Sequence, residues 1–176
     1  QASEKSLERE RASAASGDEK YRHLLQRVVR QMSGADSGRL LKWSQTAYYR
    51  GYYLHSLEFA EKAAEKFGGH LDATKALLLA GKSAFACGEY STAEDAYEKI
   101  ASKAAGSREA SEALFRLGLL KYRKGKYSEA VAFFERVLAL NPDGEFEYRS
   151  LYWEWRSLQK QKSDRAKEYV QRLLDK

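Results

Sequence analysis

Few stretches of this 176-residue chain pair residue types at a spacing that chemistry requires. The segment AGKSA at 80–84 holds Gly-Lys-Ser, the tail of a phosphate-cradling loop. That loop needs a further glycine five residues before Gly81, and Ala76 stands there, so the segment reads as helix packing. His23, His55 and His70 lie far apart, none with a second histidine or a carboxylate pair at metal-ligand spacing. The single Cys87 rules out an internal disulfide and a cysteine-based zinc site. Glu94 with Asp95, and Glu145 with Glu147, are acids at helix starts, where they complement the helix dipole. Neither a nucleophile elbow nor a Cys-His pattern occurs. These readings lead to the expectation of no catalytic residue, no metal, no cofactor and no enzymatic activity. The densest cation cluster, KYRKGK at 121–126, has two readings: phosphate contact, or complementing a helix C-terminus at a turn.

The elements behind these residues are helices. Hydrophobic residues make up 43% of the chain, with 12 tyrosines and one proline, which argues against global disorder and for helix. The net charge of +6 is spread along the chain, as on a salt-bridge-laced helical surface. No apolar run approaches the roughly 20 residues that span a bilayer. The chain starts at Gln1 without a methionine, so it is read as processed or trimmed, with any targeting segment already missing.

Residues 1–15 are polar with a lone leucine and are expected to form a flexible arm. Ser16 and Glu19 make a capping box, and Tyr21, Leu24, Leu25, Val28, Val29 and Met32 recur at helical spacing, predicting an amphipathic helix over 16–34. It either caps the first hairpin or pairs with its own copy to make a dimer. From residue 39 to 176, helical segments alternate with short breaks, which predicts eight helices in four antiparallel hairpins, near 41–69, 74–106, 111–142 and 147–176. Two of these share one skeleton 37 residues apart: Gly81, Gly88, Tyr90, Ala93, Tyr97 and Ile100, then Gly118, Gly125, Tyr127, Ala130, Phe134 and Val137, the second closing at Pro142. The first glycine of each set lets the partner helix approach, the second ends the helix, and the alanine marks the crossing.

These residues resemble the tetratricopeptide repeat family, whose units are helical hairpins of about 34 residues. The resemblance implies an all-α, right-handed superhelical solenoid of about four hairpins plus the N-terminal helix. In the flanking units, Tyr48 and His55, then Glu154 and Gln161, stand where the two glycines are expected, while Ala60 and Ala166 match the crossing alanine. First helices of the family line a concave surface. Carried onto this chain, that face holds Gln45, Tyr49, Tyr52 and Tyr53; Leu78, Lys82 and Phe85; Phe115, Leu119, Tyr122 and Arg123; and Leu151 and Trp155. Tyr52, Phe85 and Tyr122 either fill hairpin interfaces or face a ligand. Gln45, Tyr49, Tyr53, Lys82, Arg116, Arg123 and Trp155 are the candidate contacts for a protein or peptide held in an aromatic, partly basic groove, the rings taking apolar side chains and the cations taking carboxylates.

The segment from Tyr148 to Lys176 also resembles helical repeats in bacterial soluble lytic transglycosylases, on Tyr152, Trp153, Arg156 and Ala166. That resemblance implies a non-catalytic module near cell-wall glycan, associated with peptidoglycan or an envelope assembly partner, in the bacterial periplasm. Nucleic-acid binding is the third reading.

Overall fold

A computed structural model of the chain describes residues 27, 31–68, 71–104, 106–140 and 144–174. The expected arm at 1–15, most of the helix expected over 16–34, His23, His70 and Pro142 lie outside the described residues. Among the described residues there are eight α-helices and no strand: α1 (Ser37–Tyr49), α2 (Tyr53–Phe67), α3 (Leu71–Cys87), α4 (Tyr90–Lys103), α5 (Arg108–Arg123), α6 (Tyr127–Leu140), α7 (Glu147–Lys160) and α8 (Arg165–Leu174). The chain divides into two compact units, Gln1–Ala96 and Tyr97–Lys176. In the first, α1 packs on α2 and α2 on α3; in the second, α5 packs on α6, α6 on α7 and α7 on α8.

Side-chain oxygens open the helices that carry a cap. Asp36 accepts the Arg39 N–H at 2.8 Å at the start of α1, and Ser107 accepts the Ala110 N–H at 3.0 Å at the start of α5. Each satisfies a backbone donor that the first turn leaves open.

The four first helices, α1, α3, α5 and α7, end alike. Gly51, Gly88, Gly125 and Lys162 have positive φ (82°, 89°, 74° and 54°), each 37 residues beyond the one before. Around each, the following N–H reaches back five residues: Tyr52 to Ala47, Glu89 to Ala84, Lys126 to Lys121 and Ser163 to Leu158, at 2.8–3.0 Å. The left-handed residue itself donates to the carbonyl of Tyr48, Phe85, Tyr122 or Gln159. This pair of bonds satisfies carbonyls the helix end would leave open and turns the chain back on itself.

The shared 37-residue register corrects the expected alignment of the outer units. Gly51, not His55, ends the first helix of the first hairpin, and His55 lies inside α2. In the last hairpin the turn falls at Lys162, not Gln161. The close-approach position of Gly81 and Gly118 is therefore matched by Ser44 and Trp155, not by Tyr48 and Glu154, and the crossing position of Ala93 and Ala130 by Ser56 rather than Ala60.

The crossings follow from what stands at these places. A Cβ added at Gly118 would lie 2.5 Å from Cε1 of Phe134, so the ring of α6 rests where a side chain would be. In the first unit the crossing is polar: the Ser44 hydroxyl donates to the Ser56 carbonyl at 2.7 Å, the Ser56 hydroxyl to the Ser44 carbonyl at 2.9 Å. The hydroxyls of Ser56 and Ser83 lie 2.8 Å apart, and all three serines are fully buried, linking α1, α2 and α3. Around them Ala47, Tyr52 and Phe59, then Leu40, Ala63 and Ala76, make the apolar core, with Met32 and Trp43 packed against both groups. In the second unit the larger Trp155 fills the crossing against Val131, Leu151, Leu158 and Tyr169.

Three substitutions test this frame. Gly118→Ala is expected to lower stability by about 1–3 kcal/mol by overpacking against Phe134, whereas Gly34→Ala, where an added Cβ meets nothing within 4 Å, leaves the melting temperature unchanged or higher. Lys162→Gly relieves a left-handed backbone and is expected to stabilise by about 1 kcal/mol, read by thermal or urea unfolding.

Candidate functional site

The helix-ending turn also brings rings together. In three repeats the residue whose carbonyl accepts the left-handed N–H is aromatic, and so is the residue that opens the next helix. Tyr48 meets Tyr53 at 5.4 Å and 64°, Phe85 meets Tyr90 at 5.6 Å and 65°, and Tyr122 meets Tyr127 at 5.3 Å and 64°. Edge-to-face pairs of this kind contribute about 0.5–1.5 kcal/mol beyond area burial. At the fourth turn the corresponding residues are Gln159 and Asp164, and the pair is absent.

In the first unit, α1 presents Gln45 and Tyr49 outward, and Tyr49 is 86% exposed. Tyr48 stands edge-on to both Tyr49, at 5.9 Å, and Tyr53, so Tyr49, Tyr48 and Tyr53 form a short ladder at the end of α1. Tyr52 belongs to the core with Ala47 and Phe59, which decides its role as an interface filler. Lys82 and Phe85 are half-buried on α3.

In the second unit, Phe115 is core, between Phe134 at 5.8 Å and Phe146 at 5.5 Å. Arg116 is committed: its Nε and Nη2 donate to Glu112 Oε1 at 3.0 and 2.7 Å, and Glu112 is only 4% exposed. Arg108 lies 4.0 Å from the same carboxylate and donates to Glu145 at 2.6 Å; that hydrogen bond, with the Glu145 charge, raises the Arg108 pKa above its ordinary value. Arg123 is exposed at the end of α5. Trp155, expected among the groove contacts, is half-buried on the α7–α8 core, because the 37-residue register puts it at the packing position.

The exposed rings of α7 are Tyr148 and Tyr152, and Trp153 is half-buried. Trp153 sits edge-on between Tyr122 of α5, at 5.1 Å, and Tyr152, at 5.5 Å, and Tyr152 also lies 5.8 Å from Trp155. With Tyr127 this makes a run of five rings over α5, α6 and α7. Sequence reasoning did not place Tyr152 or Trp153 among the contacts. Extending the 37-residue spacing of the two clear repeats into the last one finds them, since Tyr152 then corresponds to Phe115 and Trp153 to Arg116.

Two of the four cations in the basic turn at 121–126 share one carboxylate. Lys121 and Lys126 both reach Glu129 at 3.0 Å, and their hydrogen bonds, Lys121 first, hold that carboxyl below the usual carboxylate range. The GKS segment lies inside α3, with Ser83 and Ala84 fully buried. Among the described residues no group of three or more His, Cys, Asp or Glu is placed to hold a metal ion, and no helix is long and apolar enough to cross a membrane.

His55 stands beside Tyr52 at 6.3 Å, with Nδ1 buried and without a hydrogen-bond partner. Its burial lowers the imidazole pKa below the ordinary 6.5, with the Glu58 charge working against that shift. A depressed folded-state value means that the contribution is present above about pH 6.5, the unfolded value, and is lost as pH falls through the folded one. The melting temperature is expected to drop between pH 7 and 5, and His55→Gln to flatten that slope. An equal slope in parent and variant would assign it elsewhere.

Residues 78–145 match the tetratricopeptide repeat family model. Solved structures share the fold. MamA is 18% identical with a TM-score of 0.72, over 86% of this chain and 83% of that one. A second MamA structure is 17% identical with a TM-score of 0.71, over 90% and 85%. A Podosopora anserina protein described as a kinesin light chain with nearly identical TPR-like repeats is 14% identical with a TM-score of 0.65, over 86% and 75%. No curated protein matches the sequence.

Proposed function

We propose that this chain, built of tetratricopeptide repeats, is a non-catalytic scaffold that holds a protein or peptide partner on the outward faces of its first helices. Repeats of this family serve protein interaction in general, and the fold carries that much. The observation that supports the finer reading is the ring ladder at the end of α1, where Tyr49 is 86% exposed while Tyr48 and Tyr53 hold it from behind. A tyrosine so placed buries a large area on a partner with few rotors to immobilise and offers one hydroxyl for specificity. Gln45 beside it and Lys82 on α3 add polar contacts in the first unit, and Arg123 does so in the second. Arg116 contributes through Glu112, its ion-pair partner, and Trp155 through the packing of α7, so neither leads in the contact with a ligand.

The test is affinity capture on the immobilised chain, with Tyr49→Ala beside the parent. The variant is expected to keep its helical signal and to weaken retention of the captured protein by about 2 kcal/mol, the hot-spot scale. Added salt is expected to change that contact little. Equal retention by both chains would move the partner off α1, and release of fragments from purified peptidoglycan by the chain alone would end the non-catalytic reading.

A further inference from the structure

We propose that the outward face of α7 is a docking surface for an acidic peptide segment whose two carboxylates bracket an aromatic or aliphatic side chain. This inference rests on the scaffold reading and names the partner chemistry of one face. On α7 the acids and the bases are sorted by side. Glu147 and Glu154 are turned inward, 7% and 0% exposed, while Arg149, Arg156 and Lys160 face out or lie half-exposed. The outward side of this helix therefore carries three cations and no carboxylate.

Most of the arginines around it are occupied. Arg108 holds Glu145, Arg116 holds Glu112 and Arg165 holds Glu135 at 2.8 Å. Arg149 and Arg156 make no ion pair among the described residues. They stand seven residues apart on one stripe, about 10 Å along the axis at 1.5 Å per residue. Between them lie Tyr152, 44% exposed, and Trp153, whose position the edge-on contacts with Tyr122 and Tyr152 fix. An extended peptide advances about 3.3 Å per residue and its side chains alternate faces, so two carboxylates four residues apart lie on one face about 13 Å apart, a distance that two flexible arginine stems rooted about 10 Å apart can reach. A side chain between them then falls on Tyr152 and Trp153. Guanidinium groups suit carboxylates because they donate in pairs, and pre-set rings lose little freedom on binding. Two cations of the neighbouring basic turn, Lys121 and Lys126, already hold Glu129, which leaves less charge there to extend the patch toward a polyanion.

The experiment selects capped random octapeptides on the immobilised full chain and titrates the enriched ones by fluorescence anisotropy. The enriched peptides are expected to carry two acids four residues apart with an aromatic or leucine side chain midway between them. Arg149→Gln and Arg156→Gln are each expected to weaken binding about 3- to 10-fold, their combination and Tyr152→Ala at least about tenfold, and Lys62→Gln, in the first unit, not at all. All variants should keep the parent's circular dichroism. Enriched peptides that lack the acidic pattern, or that bind the double arginine variant like the parent, overturn this inference and leave the scaffold reading standing. Enrichment of no peptide counts against the scaffold reading itself. A labelled single-stranded oligonucleotide that binds more tightly than the peptides, and is released by the double variant, replaces the acidic peptide with nucleic acid.

Discussion

One backbone constraint organises the described chain: each first helix must stop in a left-handed residue that lets the next helix fold back against it. The bonds from Tyr52 to Ala47, Glu89 to Ala84, Lys126 to Lys121 and Ser163 to Leu158 are the same bond four times. Because the turn is so short, it fixes both the angle of the hairpin and which side chains meet across it. The ring pairs Tyr48–Tyr53, Phe85–Tyr90 and Tyr122–Tyr127 follow from that geometry, since the two rings flank the left-handed residue at constant spacing. The left-handed backbone comes easily to glycine at three of the turns; Lys162 adopts it at the fourth, where the ring pair is also missing.

The crossings inside the hairpins vary around this constant frame. Gly118 makes room for the Phe134 ring, Ser44 and Ser56 replace that contact with paired hydroxyls, and Trp155 fills the space with its own bulk. A buried hydroxyl is tolerable because it is hydrogen-bonded, and the serines of α1, α2 and α3 satisfy one another across three helices. The apolar bulk of Trp155 has a different consequence: it packs that ring against the core with Tyr169, while Tyr152 stays exposed and Trp153 and Arg156 half-buried on α7.

Charge is arranged to the same end. A chain with 31 basic and 25 acidic side chains places many of its cations in pairs, and the turn at 121–126 is bridged by Glu129. Exposed pairs of this kind add little stability. Their effect is on recognition, because each leaves one cation less to face a partner. Where the acids turn inward instead, as Glu147 and Glu154 do, the surface is left basic and aromatic together.

The helical class and the two central repeats were legible in the sequence, because glycine, alanine and aromatic residues repeat there at an interval that any helical hairpin must keep. In the structure Gly88 and Gly125 have positive φ, Gly118 lies against Phe134, and Ala93, Tyr97, Ala130 and Phe134 are fully buried. The register of the outer repeats was not legible. Ser44 and Trp155 are chemically unlike the glycines they replace, and Lys162 bears no mark of a left-handed backbone; only the hydrogen bonds of the folded turn identify it. The same reason separates the parts of the candidate site. Tyr49 was legible as an outward ring on α1, but whether Tyr52, Trp155 or Arg116 faces a ligand depends on helix rotation and on the burial of Glu112, which no local spacing encodes. Sequence alone determined that hairpins form and where two of them turn. Tertiary packing decided which rings and cations were left outside, because a helix shows its neighbour a side set by the crossing residue, and a shift of one position rotates that side by about 100°.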